Sequence, residues 1–256
     1  MKLKMAIFEL TGCGGCELTF IMLNEKLEDI LELYDIAHFK MISSREDLHK
    51  YDVAVVTGSV STERDLKVLE SARKKSRILL ALGTCAVHGG PQSLILDEDL
   101  EGALAEIYGK KVPKEMKIFA GTPISEYVKV DVEIPGCPPE SNDLFQALVD
   151  LAHGVVPYKR DYPVCLECKI NETECVLVKR GIPCLGPITL GGCNAVCINL
   201  GIGCIGCRGP LPEDVNIPSE YEILKSLGIS EKTIKRKLRM FSKRVSLNDH
   251  EKNLYK

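Results

Sequence analysis

Cysteine is the residue with which this 256-residue chain can do chemistry, and it has twelve. Two of them, Cys13 and Cys16, stand in Leu10-Thr11-Gly12-Cys13-Gly14-Gly15-Cys16-Glu17. Cys85 follows Gly83-Thr84, Cys137 lies within Pro135-Gly136-Cys137-Pro138-Pro139, and the other eight fall between positions 165 and 207. A C-x2-C pair on a glycine-rich turn can serve as a redox dithiol or as half of a metal site. Twelve thiols divide into three sets of four, the number that fills a 4Fe-4S cluster, although three zinc sites satisfy the same arithmetic. A secreted disulfide framework would need a signal peptide. The N-terminus instead passes straight into an apolar strand, with no charged leader or twin arginine. The cytoplasm is therefore the expected compartment.

The elements that must position these thiols follow from periodicity. Met5-Ala6-Ile7-Phe8 reads as a buried strand. Leu18 to Leu33 reads as a helix, with Leu18, Ile21, Met22, Leu27, Ile30 and Leu31 at helical spacing. Further strands are expected over Asp35–Met41, Asp52–Val56, Arg77–Leu82 and Val130–Ile134. Between them come a helix from Ser61-Thr62-Glu63 to Lys75 and one over Asp97–Tyr108 in an irregular region, and a helix over Ser141–His153 follows the last strand. Such alternation implies an α/β fold, a doubly wound parallel sheet of flavodoxin-like order. Cys13, Cys16, Cys85 and Cys137 each follow a strand, so they converge on one rim of the sheet, where an open α/β sheet places its ligands. A helix N-terminus there favours negative charge, which suits a thiolate-ligated cluster. That convergence favours one metal site over a thioredoxin-like dithiol.

From about Val155 the composition changes to cysteine, glycine and proline. Cys165, Cys168 and Cys175 are spaced C-x2-C-x6-C, Cys184 and Cys193 follow, and Cys197, Cys204 and Cys207 are spaced C-x6-C-x2-C. Eight glycines lie between Gly181 and Gly209. The segment resembles a two-cluster, ferredoxin-like iron-sulfur module whose folding energy bound metal must largely supply. The alternative is a pair of zinc ribbons. Zinc sites commonly mix in histidine, and none occurs between His153 and Pro212. Which four of the eight share a cluster is left open by the spacing. The expected organisation is a flavodoxin-like domain over 1–154, the module over 155–215, and a basic helical tail over 216–256. In the tail, Glu231 to Arg244 carries seven basic side chains and one acidic, with Ile234, Leu238 and Phe241 on one face. His38, His49 and His88 read as surface or core residues, although His88 is close enough to Cys85 to bond a cluster sulfide. With 33 basic and 36 acidic residues the chain has no general affinity for nucleic acid, and its apolar runs are too short to span a membrane.

With these residues in view, the chain resembles the small subunit of a NiFe hydrogenase. It is most similar to the cytoplasmic archaeal group 3 kind of deazaflavin-reducing, heterodisulfide-reductase-linked (methyl-viologen-reducing) and sulfhydrogenase complexes. The resemblance is carried by T-G-C-G-G-C-E at 11–17, T-G-S-V-S-T at 57–62, G-T-C-A-V-H-G-G at 83–90, P-G-C-P-P at 135–139 and the eight-cysteine module. It implies that Cys13, Cys16, Cys85 and Cys137 bind the cluster nearest the nickel-iron centre. It also places Glu17 close to that cluster and the large subunit, as the candidate catalytic carboxylate. Reversible hydrogen oxidation then belongs to a partner large subunit, and this chain alone is not expected to activate hydrogen. Electrons would pass through three 4Fe-4S clusters to a downstream flavin or iron-sulfur subunit.

The module departs from periplasmic uptake hydrogenases, which use a histidine ligand at the outermost cluster and often a 3Fe-4S centre. Complex I and energy-converting hydrogenase subunits share the rim cysteines but lack the module, and they are the runner-up within this class. A zinc-stabilised interaction protein without redox chemistry is the alternative from another class.

Overall fold

The computed structural model describes residues 2–47, 49–95, 97–109, 117–212 and 215–243. The chain forms two compact units, Met1–Pro157 and Tyr158–Lys256.

The first unit contains β1 (Leu3–Glu9), α1 (Gly15–Ile21), α2 (Glu25–Leu33), β2 (Tyr34–Phe39), β3 (Tyr51–Thr57), β4 (Val60–Thr62) and α3 (Glu63–Lys75). It continues through β5 (Ser76–Leu82), α4 (Thr84–His88), α5 (Asp97–Tyr108), β6 (Ile118–Thr122), β7 (Val132–Ile134) and α6 (Ser141–Ala152). Five strands pair in the order β2-β1-β3-β5-β7, all parallel. This is the flavodoxin-like order, in which the connections reverse between β1 and β3 and open a crevice at the carboxyl ends of the strands.

The strands are near-continuous apolar runs because both faces of the sheet are covered. Met5, Ile7, Val53, Val55, Leu80 and Leu82 pack with Phe20, Ile30, Leu144 and Leu148 on one side. Ala6, Phe8, Ala54, Val56, Leu79 and Ala81 pack with Leu69, Ala72, Ala86 and Val87 on the other. The side chain of Thr62 caps α3 by accepting the Asp65 N–H at 3.1 Å, as the Ser61-Thr62-Glu63 pattern implies.

Two features differ from the sequence reading. The helix expected over 18–33 is two helices, because Asn24 takes φ 55° between α1 and α2 and breaks the run. Its apolar face is redistributed: Phe20, Leu23 and Ile30 enter the core, whereas Leu18, Met22 and Leu31 are exposed. The irregular region also holds β6, which pairs antiparallel with the three-residue β4, a pairing too short to leave a periodic signal.

The second unit is built from short helices: α7 (Val164–Ile170), α8 (Val176–Arg180), α9 (Val196–Asn199), α10 (Ile217–Ser226) and α11 (Glu231–Arg239). Its apolar residues form two small groups. One comprises Val164, Val176, Cys184, Ala195, Ile198 and Cys204; the other joins Leu185 and Ile188 to Ile217, Tyr221, Leu224, Ile234 and Leu238 of α10 and α11. The helix α11 starts at Glu231 as expected and buries Ile234 and Leu238, while Phe241 lies beyond its end. Arg244 lies outside the described residues. The helix α10 was not anticipated.

Candidate metal centre

Each rim cysteine is delivered by a strand end. Cys13 sits in the turn after β1, and Cys16 is the second residue of α1. Cys85 is the second residue of α4, directly after β5, and Cys137 follows β7. Hydrogen bonds sew these turns together. Gly83 N–H bonds Ile134 O at 2.8 Å, Thr84 N–H bonds Gly136 O at 2.9 Å, and Gly136 N–H returns to Thr84 Oγ1 at 2.9 Å. The first turn is tied to the end of β3 by a reciprocal pair, Thr11 N–H to Ser59 O and Ser59 N–H to Thr11 O. Gly58 lets this happen, since a Cβ there would lie 2.7 Å from the Leu10 carbonyl carbon.

Cys16, Cys85 and Cys137 each sense other thiols of the rim. Burial, then Glu17, then Cys85, Cys137 and Cys13 push the Cys16 thiol far above its usual range. Burial pushes Cys85 up to about 11, against a contact with Gln92 Oε1 at 3.4 Å. Such thiols do not ionise readily without a cation to neutralise them, and a coordinating metal deprotonates a thiol outright.

The surroundings also fit a bulky ligand. A Cβ on Gly83 would collide with Cys16 Sγ, and one on Gly90 would lie 2.5 Å from Cys85 Sγ. Backbone thus stands against sulfur where any side chain would fill the space. The donor set of four thiols, Cys13, Cys16, Cys85 and Cys137, and the glycine cradle fit an iron-sulfur cluster. Among the described residues no group of His, Cys, Asp and Glu is closed around a single metal ion.

Three polar residues besides the cysteines support this rim. Glu17 is buried on α1, and Thr57 Oγ1 lies within hydrogen-bonding contact of its Oε1. Asp65 accepts from the Thr11 hydroxyl at 2.7 Å and from Ser61 N–H at 3.1 Å. Gln92 donates from Nε2 to Thr11 O at 3.2 Å while its Oε1 meets Cys85. Asp65 and Gln92 escaped the sequence reading, although Asp65 stands three residues past the T-G-S-V-S-T motif and Gln92 two past G-G. Of the histidines, His38 is buried and stacked on Phe8 at 4.9 Å, His88 is buried on α4, and His49 is exposed.

In the second unit Cys165 and Cys168 lie on α7, Cys175 is the N-cap of α8, and Cys184 follows α8. Cys193 precedes α9, Cys197 lies on it, and Cys204 and Cys207 follow. Burial and the neighbouring Cys184, Cys168 and Cys175 push Cys165 up to about 12. Cys168 is raised by burial, then by Cys184 and Cys175. Cys204, pushed up to about 12 mainly by burial, senses Cys184 and Cys207. Backbone N–H groups already point at sulfur: Cys204 N–H at 3.2 Å from Cys184 Sγ, and Gly206 N–H at 3.4 Å from Cys204 Sγ.

Glu167, between Cys165 and Cys168, reaches across to the Cys193 loop. Its carboxylate accepts Gly192 N–H at 2.5 Å and Ala195 N–H at 3.0 Å, holding Asn194 and Ala195 at positive φ. Arg208 braces the same loop from Nε to Gly191 O at 2.8 Å. Neither Glu167 nor Arg208 was singled out from sequence, because a charged residue beside a cysteine carries no local mark of its distant partner.

Comparison with known proteins adds kinship to this geometry. Residues 13–151 match the family model described as NADH ubiquinone oxidoreductase, 20 kDa subunit. The chain is 52% identical over 241 residues to the sulfhydrogenase 2 subunit delta of Pyrococcus furiosus, covering 94% of this chain and 100% of that one. Its structure is similar to a chain of an NAD+-reducing [NiFe]-hydrogenase in the H2-reduced state, with TM-score 0.56 and 26% identity over 62% of this chain and 96% of the other. A chain of the Ni-Fe-Se hydrogenase from Desulfomicrobium baculatum shares the fold at 16% identity, with TM-score 0.54 over 86% of this chain and 97% of that one.

Proposed function

Because this chain belongs to the NADH ubiquinone oxidoreductase 20 kDa subunit family, as a small subunit of a group 3 NiFe hydrogenase, we propose that it is the electron-transfer subunit of its complex and is inactive on hydrogen by itself. Bound to it, three 4Fe-4S clusters supply a one-electron relay between the nickel-iron centre of a partner large subunit and a downstream flavin or iron-sulfur subunit. The observation that carries this reading is the meeting of four thiols from three strand ends in a glycine cradle.

Cys13, Cys16, Cys85 and Cys137 hold the cluster nearest the large subunit. The module over 155–215 holds two more. Cys165, Cys168, Cys175 and Cys184 form one set, since the first two both sense the last two, and Cys168 senses them more strongly than it senses Cys193. Cys193, Cys197, Cys204 and Cys207 form the other. The rim faces the large subunit: Leu18 on α1 and Met22 at its C-cap, one turn apart, are exposed beside the cysteine turn, and Met41, also exposed, lies against Gly14. Glu17 serves at that boundary, its carboxylate held by Thr57. The complex works in the cytoplasm, where cysteines stay out of disulfides, as all twelve do here, and among the described residues no helix is long and apolar enough to cross a membrane.

An anaerobically purified complex should carry about twelve irons and twelve acid-labile sulfides on this chain. A count near eight, or stoichiometric zinc, overturns the three-cluster assignment. In the same preparation Glu17→Gln should keep its iron and lose most hydrogen turnover. Full turnover with normal assembly would reduce Glu17 to a first-turn residue of α1 that favours the helix dipole.

A further inference from the structure

The buried face of α10 consists of Ile217, Glu220, Tyr221 and Leu224. Ile217, Tyr221 and Leu224 pack with Leu185 and Ile188, in the stretch that directly follows Cys184. Glu220 shares that face, is 2% exposed, and among the described residues has no hydrogen-bond partner on either carboxyl oxygen. The groups it acts on are Cys165 of α7 and Cys184. From α11 come the apolar Ile234 and Leu238, and the nearest acidic side chain of that helix, Glu231, is engaged with Tyr221. Burial alone pushes the Glu220 carboxyl up to about 7.

A carboxyl buried without a partner is costly, and it persists where something outside the protein's own groups completes it. A cluster held by four thiolates is negatively charged, so it disfavours a carboxylate beside it and favours the neutral acid. The neutral acid has an O–H to donate, and the sulfurs of a cluster held by Cys165 and Cys184, the thiols on which Glu220 acts, would accept it.

We propose that Glu220 is a positioning residue that donates a hydrogen bond from its neutral carboxyl to the sulfur shell of the cluster held by Cys165, Cys168, Cys175 and Cys184, and thereby raises that cluster's reduction potential. This rests on the cluster reading of the first module set. A hydrogen bond to cluster sulfur stabilises the more negative, reduced state, which is one of the levers that set such potentials.

The test is an EPR-monitored redox titration of the anaerobically purified complex with iron counted in every sample. Glu220→Leu removes the donor, whereas Glu220→Gln keeps a neutral one. Glu220→Leu should make reduction of one cluster at least about tenfold less favourable, about 59 mV for a one-electron couple, and leave the other clusters unmoved. Glu220→Gln should stay within about threefold of the unaltered protein, a shift of less than about 30 mV by the same constant. If Glu220→Leu loses iron through poor packing, Glu220→Met removes the donor with a more adaptable side chain. Full iron with unmoved potentials in the apolar variants overturns the proposal. So does a tenfold rise in Glu220→Gln, the mark of a lost carboxylate charge. Absence of iron from the unaltered protein is a separate result and overturns the cluster reading itself.

Discussion

Replacing Gly83 with alanine is expected to reduce hydrogen-dependent electron transfer by the complex to background and to remove about four irons from this chain, the content of one cluster. Gly83 follows β5 and is the N-cap of the helix that carries Cys85. Its backbone lies at φ 88° and ψ 158°, a region almost closed to residues with a Cβ, at a cost of roughly 1–3 kcal/mol. The greater effect is steric, because the new methyl would occupy the place of Cys16 Sγ. Cys16 must then swing away from Cys85 and Cys137, and a set of three converging thiols does not fill a 4Fe-4S cluster. The sheet should survive, since Leu80 and Leu82 of β5 remain buried. Gly102→Ala is the control. It lies within α5 with nothing inside 4 Å of a new Cβ, so it should keep all iron and gain about 0.5–1 kcal/mol of stability. Iron analysis, turnover and thermal melting of the two variants decide the matter, and a Gly83→Ala protein with full iron and turnover would refute the cradle.

Stripping iron with oxygen or a chelator should unfold the cysteine-rich part of the second unit while the sheet of the first unit stays protected. The helices α7, α8 and α9 have seven, five and four residues, well under the roughly 12–15 residues an isolated helix needs. Two of the six buried residues between them are Cys184 and Cys204, both proposed cluster ligands. Metal ligation therefore takes the place of a core, and by analogy with structural zinc its loss removes on the order of 10 kcal/mol. The first unit instead buries both faces of a five-stranded sheet. Limited proteolysis read by mass spectrometry should place the first cuts between residues 164 and 207, at least about tenfold faster than cuts in the sheet. Acid should hasten the process, because thiols raised as Cys165 and Cys204 are compete well for protons against iron. Equal resistance in both units would contradict this account.

The sheet and the rim were legible in the sequence because their signals are local. Apolar runs such as Val53–Val56 and Leu79–Leu82 mark strands buried on both faces, and Gly-Thr-Cys or Pro-Gly-Cys directly after them places sulfur at the carboxyl rim. Ser61-Thr62-Glu63 likewise contains its own helix start. Other features depend on groups far apart in the chain, and only the folded molecule brings them together. Thr11 meets Asp65, Gln92 bridges Thr11 to Cys85, and Glu167 holds the Cys193 loop across 25 to 28 residues. The effect of Cys175 and Cys184 on Cys165 and Cys168, on which the proposed grouping rests, likewise depends on how α7 and α8 fold back. The approach of α10 to Cys184 belongs to the same class. Its buried face is chosen by Leu185 and Ile188, residues that carry no periodic mark of their own. A strand or a cap is set by its neighbours along the chain, whereas a loop's partners are set by packing, and packing exists only once the chain has closed on itself.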